Sequence, residues 1–309
     1  MQKKKNIRLL ILFSVLLTGW VFYTFIQWKM NGNEVYENNL FSIEDSNSVN
    51  IVKINRSDAT FTLSYEGVNW KVNSKYNADN SLIKVFFAAL TEMRIRRPLS
   101  ALEKDSVNAL IIGKGTKVEF YSEDHLIQSF YTYGDEENSL TYITKGKDEM
   151  PFLINIPGYR TYLYGIFQLS QNEWRDPLVF RDMNWRNLGS IEVEFPDQPE
   201  NSFSIKMGNE FFKIDGITST DTTKLIDYID KISLLQVKKY TNGNELEGKK
   251  KQPSMIINVL DVGLNDHKIY FYPVEEEGKI FMRKEEGNYG EIFSEDYNYL
   301  KVKKNYFEK

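Results

Sequence analysis

Twice along this chain a set of short alternating segments gives way to one helical stretch and then resumes, and the two series lie about 140 residues apart. In the first series, strands are read near Asn50–Asn55, Thr60–Tyr65 and Asn69–Val72, with a turn at Glu66-Gly67. Apolar residues at every second position mark such strands, because successive side chains point to opposite faces. The period then changes. Leu82, Phe86, Ala89, Leu90 and Met93 fall at helical spacing, Asp79 or Asn80 is available as the N-cap, and Pro98 forbids continuation. Strands follow at Lys117–Tyr121, Ile127–Tyr133, Leu140–Thr144 and Phe152–Asn155.

The second series runs in the same order. Strands are expected at Ser190–Phe195, Ser202–Met207 and Phe211–Ile214, then a helix capped by Asp221 and carrying Leu225, Ile229 and Ile232. Strands return at Leu235–Tyr240, Met255–Val259, Lys268–Tyr272, Lys279–Arg283, Tyr289–Phe293 and Tyr299–Val302. Matching Ile51 with Ile191, Phe61 with Phe203, Trp70 with Phe212, Leu82 with Leu225, Val118 with Ile257 and Phe130 with Phe271 gives offsets of 139 to 143 residues. The fold class this predicts is α+β: an N-terminal transmembrane helix, then two tandem similar domains, each a mostly antiparallel sheet with one covering helix. The expected divisions are 1–30 for a cytoplasmic stub and anchor, 31–48 for a polar tether, 49–168 for the first domain, 169–188 for a connector and 189–309 for the second domain.

The anchor is read from Leu9–Ile26, a run without charge. Eighteen residues at about 1.5 Å each approach the ~30 Å hydrocarbon core of a bilayer. Lys3, Lys4, Lys5 and Arg8 precede the run and Trp20, Tyr23 and Trp28 collect at its far end. That asymmetry predicts a cytoplasmic N-terminus and a periplasmic or otherwise extracytoplasmic bulk in a single-pass inner-membrane protein. A cleaved signal peptide is the competing reading, but no alanine occurs before Ala59 to make a cleavage site.

Composition excludes several function classes. Cysteine is absent, which removes disulfides, thiolate nucleophiles and Cys-ligated zinc. The net charge of −4 argues against nucleic acid as a partner, since phosphates demand a basic face. The two histidines, His125 and His267, each stand at a polar turn before a strand and are read as solvated. Gly113-Lys114-Gly115 is too short for a phosphate loop, and no Gly-x-Ser-x-Gly elbow occurs. No catalytic, cofactor-binding or metal-binding set is therefore assigned, and no cofactor is expected.

Between the two series lie Ile156-Pro157-Gly158-Tyr159, Trp174-Arg175-Asp176-Pro177 and Phe180-Arg181-Asp182. Tyr159, Tyr162, Tyr164, Phe167 and Trp174 form the densest aromatic stretch outside the anchor, readable as packing or as an interaction surface. Arg175, Asp176, Arg181 and Asp182 read as a rigid connector. Each arginine is expected to reach the other Arg-Asp step or a strand end, because adjacent residues seldom face one another.

Trp70-Lys71-Val72-Asn73, Arg96-Arg97-Pro98, Ile156-Pro157-Gly158 and Trp174-Arg175-Asp176 together resemble a bacterial domain of unknown function, family 4340, over roughly residues 48 to 200. The resemblance implies single-helix-anchored extracytoplasmic proteins that accompany ABC-type export systems of the gliding-motility kind, and it brings no catalytic set. The expected function is then that of a membrane-anchored extracytoplasmic binding or accessory protein, an auxiliary subunit of such an exporter. Its expected partners are the bilayer through Leu9–Ile26 and a membrane or envelope protein. The alternative is an extracytoplasmic hydrolase of envelope polymers using paired carboxylates.

Overall fold

The computed structural model describes residues 13–24, 36–181, 183–208, 211–241, 243, 252–274, 278–284 and 288–309. Helix α1 spans residues 13–24. The chain then forms β1 (Ile51–Asn55), β2 (Thr60–Glu66), β3 (Asn69–Val72), β4 (Tyr76–Asn77), α2 (Asn80–Glu92), β5 (Arg94–Pro98), α3 (Ala101–Lys114), β6 (Thr116–Ser122), β7 (His125–Asp135), β8 (Leu140–Thr144), β9 (Phe152–Asn155) and α4 (Tyr164–Gln168). There follow β10 (Leu188–Glu194), β11 (Phe203–Met207), β12 (Phe212–Ile214), α5 (Thr222–Ser233), β13 (Val237–Thr241), β14 (Met255–Asp261), β15 (Asp266–Val274), β16 (Lys279–Lys284), β17 (Tyr289–Ile292) and α6 (Ser294–Leu300).

The strands make two sheets, one of nine in the order β4-β3-β2-β1-β6-β7-β8-β9-β5 and one of eight in the order β12-β11-β10-β14-β15-β16-β17-β13. All neighbouring strands run antiparallel. Apart from β4, the two orders are the same. The registers agree as well: Ile54 faces Val118 in the first sheet as Val193 faces Ile257 in the second. One core holds Val52, Ile54, Phe86, Phe120, Phe130 and Trp174, and the other holds Ile191, Val193, Tyr228, Ile257, Ile269 and Phe307.

The helices show how a one-residue error enters a sequence match. The buried side chains of α2 are Ile83, Phe86, Phe87 and Leu90, and those of α5 are Leu225, Tyr228, Ile229 and Ile232, each 142 positions on. Leu225 therefore answers Ile83, not Leu82. Likewise the residue of the first sheet equivalent to Ile191 is Val52, which is buried, whereas Ile51 is not. A shift of one residue moves a strand side chain to the opposite face, so register decides which apolar residue is core. Asp79 and Asp221 cap the two helices, each carboxylate accepting from two backbone N–H groups.

Each half ends in the same closure. The backbone N–H of Asp79 donates to the carbonyl of Trp174 at 2.9 Å, and that of Asp221 to the carbonyl of Phe307 at 2.8 Å. Phe86 meets Trp174 edge-to-face at 5.2 Å and 82°, and Tyr228 meets Phe307 at 5.2 Å and 83°.

The fold is mostly antiparallel β-sheet in two sheets with few helices, and this replaces the α+β expectation of one helix laid over each sheet. In the first half α3 packs on β7 and β8 and α4 on β7, while in the second α6 packs against α5 and β16. Helix α3 escaped the apolar pattern because it buries only Asn108 and Ile111; its one strong signal is the capping box formed by Ser100 and Glu103. No strand forms at Tyr299–Val302: Tyr299 and Leu300 belong to α6, whose Tyr297 and Leu300 are buried at helical spacing. In the stretch read as a tether, residues 31–35 lie outside the described residues, and Phe41 and Ile43 are buried in the first core.

The membrane span is also corrected. Among the described residues no helix is long and apolar enough to cross a membrane. Of Leu9–Ile26, residues 13–24 form α1, and positions 9–12 and 25–26 lie outside the described residues. The single-pass inner-membrane placement therefore has no spanning helix behind it among the described residues.

Candidate functional site

The two sheets meet at residues 175–178, and main-chain hydrogen bonds hold this connector on both sides. The Asp176 N–H donates to the Asn77 carbonyl at 2.9 Å, and Arg175 bridges Ala78 beside β4. On the other side the Val237 N–H donates to the Pro177 carbonyl at 2.8 Å, and Leu178 bridges Gln236 beside β13. Pro177 lacks an N–H and uses only its carbonyl here, so its ring breaks no pairing. The connector thus works as a short strand shared between the edge of one sheet and the edge of the other.

Side chains lock the same seam. The Arg175 guanidinium is buried between two tyrosine rings, 3.8 Å from the centroid of Tyr76 and 3.5 Å from that of Tyr240. Desolvation lowers its pKa from the ordinary arginine value. The Tyr240 hydroxyl donates to the Asp176 carbonyl at 2.7 Å, and burial pushes its pKa up to about 12. The Asp176 carboxylate takes Arg181 Nε at 3.1 Å and the Leu178 N–H at 3.1 Å.

A cavity of about 460 Å³ opens along this seam, large enough for a small organic molecule. Its apolar lining residues include Phe180, Met183, Val259 and Met282, and its cationic ones are Lys71, Lys75, Arg175, Arg181 and Lys284. Lys75 leaves the β3–β4 turn, where Asn73 and Ser74 adopt φ of 52° and 53°, and its ammonium lies 4.8 Å from the Tyr76 centroid. Lys284 Nζ donates to the Val179 carbonyl at 3.2 Å. His267, on β15, lines the cavity edge-on to Phe180 at 6.3 Å.

Of the residues expected to form an interaction or inter-domain surface, Arg175, Asp176 and Arg181 line this cavity. Arg181 reaches the other Arg-Asp step at Asp176. Trp174 instead fills the first core, and its indole N–H is buried without a partner. Tyr164 is buried with its hydroxyl 3.2 Å from Thr116 Oγ1, Tyr162 stands edge-on to it at 6.3 Å, and Tyr159 is exposed. None of these tyrosines lines the cavity. Asp182 lies outside the described residues. Sequence reading missed Lys71, Lys75, Tyr76, Tyr240, His267 and Lys284 as site residues. Only Lys71 stood in a quoted motif, and nothing local ties the others to the connector.

Carboxylate chemistry has little room here. Asp176 and Asp261 are the acids of the lining, and Asp261 accepts from the N–H and the side-chain amide of Asn265, both at 2.8 Å. Those bonds hold its carboxyl below the usual range, the Asn265 side chain contributing most. A general acid must keep its proton near neutral pH, and this environment favours the opposite. Among the described residues no cluster of His, Asp and Glu is arranged to hold a metal ion.

No family model, no curated protein and no solved structure matches the chain. These comparisons lend no support to the resemblance of residues 48 to 200 to family 4340.

Proposed function

We propose that the protein is a non-catalytic binding module whose ligand sits in the cleft between the two sheets. The observation that carries this reading is the seam itself. Two sheets of like order are pinned edge to edge by Arg175, Asp176 and Tyr240, and the pinning leaves a walled cavity beside it. Junctions of this kind are where ligand pockets concentrate, and a rigid wall binds without losing entropy to ordering. The accessory role expected from the sequence fits such a module, with an export complex as the setting in which to seek its partner.

A thermal-shift screen of the purified chain against a metabolite library tests the reading. A true ligand at a hundredfold its Kd adds about 2.7 kcal/mol to stability. Its effect should vanish when Met282 is enlarged to Trp to fill the cavity. Turnover of any glycoside, ester or peptide by the same preparation would refute the non-catalytic assignment.

A further inference from the structure

The cleft carries a charge the rest of the chain does not. Overall the protein is acidic, at −4, yet five cationic side chains face this cavity and only two carboxylates do. Both carboxylates are engaged, Asp176 by Arg181 and Asp261 by Asn265. Among the described residues no carboxylate pairs with Lys71, Lys75, Arg175 or Lys284. Arg181 spends Nε on Asp176, while its Nη1 is buried with no hydrogen-bond partner. A buried donor left without an acceptor is costly, and a guanidinium fork beside lysines is the donor set that carboxylate and phosphate oxygens satisfy. The rest of the lining is of another kind: Phe180, Val259 and Met282 are buried apolar residues and Met183 packs against their core.

We propose that the ligand is a small organic oxyanion, a carboxylate or phosphate on an apolar body. The anionic group faces the Lys71, Lys75, Arg181 and Lys284 side, and the body lies on Phe180, Met183 and Met282. This rests on the reading of the cleft as a binding site and adds the chemical class of what binds. The cavity volume of about 460 Å³ suits one small molecule.

The test uses the full chain with 13C-methyl-labelled methionine. Met183 and Met282 line the cavity, and the chain has eight methionines in all, so the remaining methyls report whether a probe binds elsewhere. Four probes are titrated: 3-phenylpropionate, phenyl phosphate, 3-phenylpropan-1-ol and inorganic phosphate. The two aromatic anions should shift the Met183 and Met282 signals and bind about tenfold or more tightly than the alcohol, the difference one good charge-assisted contact makes. Whichever of the two binds more tightly identifies the source of the oxyanion. Lys75→Gln, at an exposed turn, and Lys284→Gln should each weaken the anions severalfold and leave the alcohol unchanged.

Binding of the alcohol as tight as that of the anions would overturn the charge assignment and leave the cleft reading standing. Inorganic phosphate matching phenyl phosphate would overturn the role of the apolar wall. If no probe moves Met183 or Met282, the cleft reading falls together with this proposal.

Discussion

The guanidinium of Arg175 lies 3.5 Å from the ring centroid of Tyr240, and those two residues belong to different sheets' surroundings. Tyr76 covers the opposite face of the same guanidinium at 3.8 Å. A planar cation held between two rings resists both sliding and rotation, so this stack and the backbone bonds around it fix the angle between the sheets.

Replacing Arg175 by Ala should therefore loosen the seam and leave each core intact. We expect a stability loss of about 2–4 kcal/mol, from two cation–π contacts and the packing of a long buried side chain. Differential scanning calorimetry should show one transition for the wild type and a broadened or split one for the variant. Arg175→Lys should recover little, since an ammonium cannot stack on both rings. A full rescue by lysine would show that charge alone matters at this position.

Alkaline pH should weaken the same seam. The Tyr240 hydroxyl is pushed up from 10.0 to about 12 by burial, so the folded chain keeps a proton that the unfolded chain releases near 10.0. Its contribution is complete below pH 10 and is lost as pH rises through 12. Two pH units at one site amount to about 2–3 kcal/mol. Urea denaturation at pH 8 and pH 11.5 measures the loss, and Tyr240→Phe should show a smaller difference between the two. An equal loss in that variant would place the alkaline sensitivity elsewhere.

Trp174 and Phe307 should behave alike, because each closes its half against an aromatic ring at 5.2 Å. Truncation to Ala should cost about 3–5 kcal/mol at either site. A mild effect at Phe307 beside a severe one at Trp174 would show that the two closures are not equivalent in energy.

The N-caps offer a gentler comparison. Asp79→Ala and Asp221→Ala each remove a carboxylate that accepts from two backbone N–H groups, and each should cost about 1 kcal/mol. Asp79→Asn and Asp221→Asn should restore most of it, because asparagine caps nearly as well. Chemical denaturation of the four variants measures both effects.

Much of the element order is readable along the chain where a local rule acts. Asp79 and Asp221 announce their helices, and the strands from Thr60 to Val72 follow from alternation and one glycine turn. Reading failed where the local signal was weak or ambiguous. Helix α3 has almost no apolar face, α6 hides in an aromatic stretch that also alternates, and β4 and β5 are short edge strands. The apolar run at the N-terminus is a composition signal to which, among the described residues, no helix long and apolar enough to cross a membrane corresponds.

The site is a more distant inference. Arg175, Asp176 and Arg181 attract attention by their own chemistry, but Lys71, Lys75, Tyr240 and Lys284 are ordinary residues of strands and turns until the chain folds.

By itself, then, the sequence determined the strand-rich character, the two capped helices at matching places and the absence of cysteine chemistry. Each of these depends on residues within a few positions of one another. The tertiary structure decided strand register, the shared-strand connector and the cationic cleft. Those depend on which edge meets which across more than a hundred residues, and side-chain pattern alone does not encode that distance.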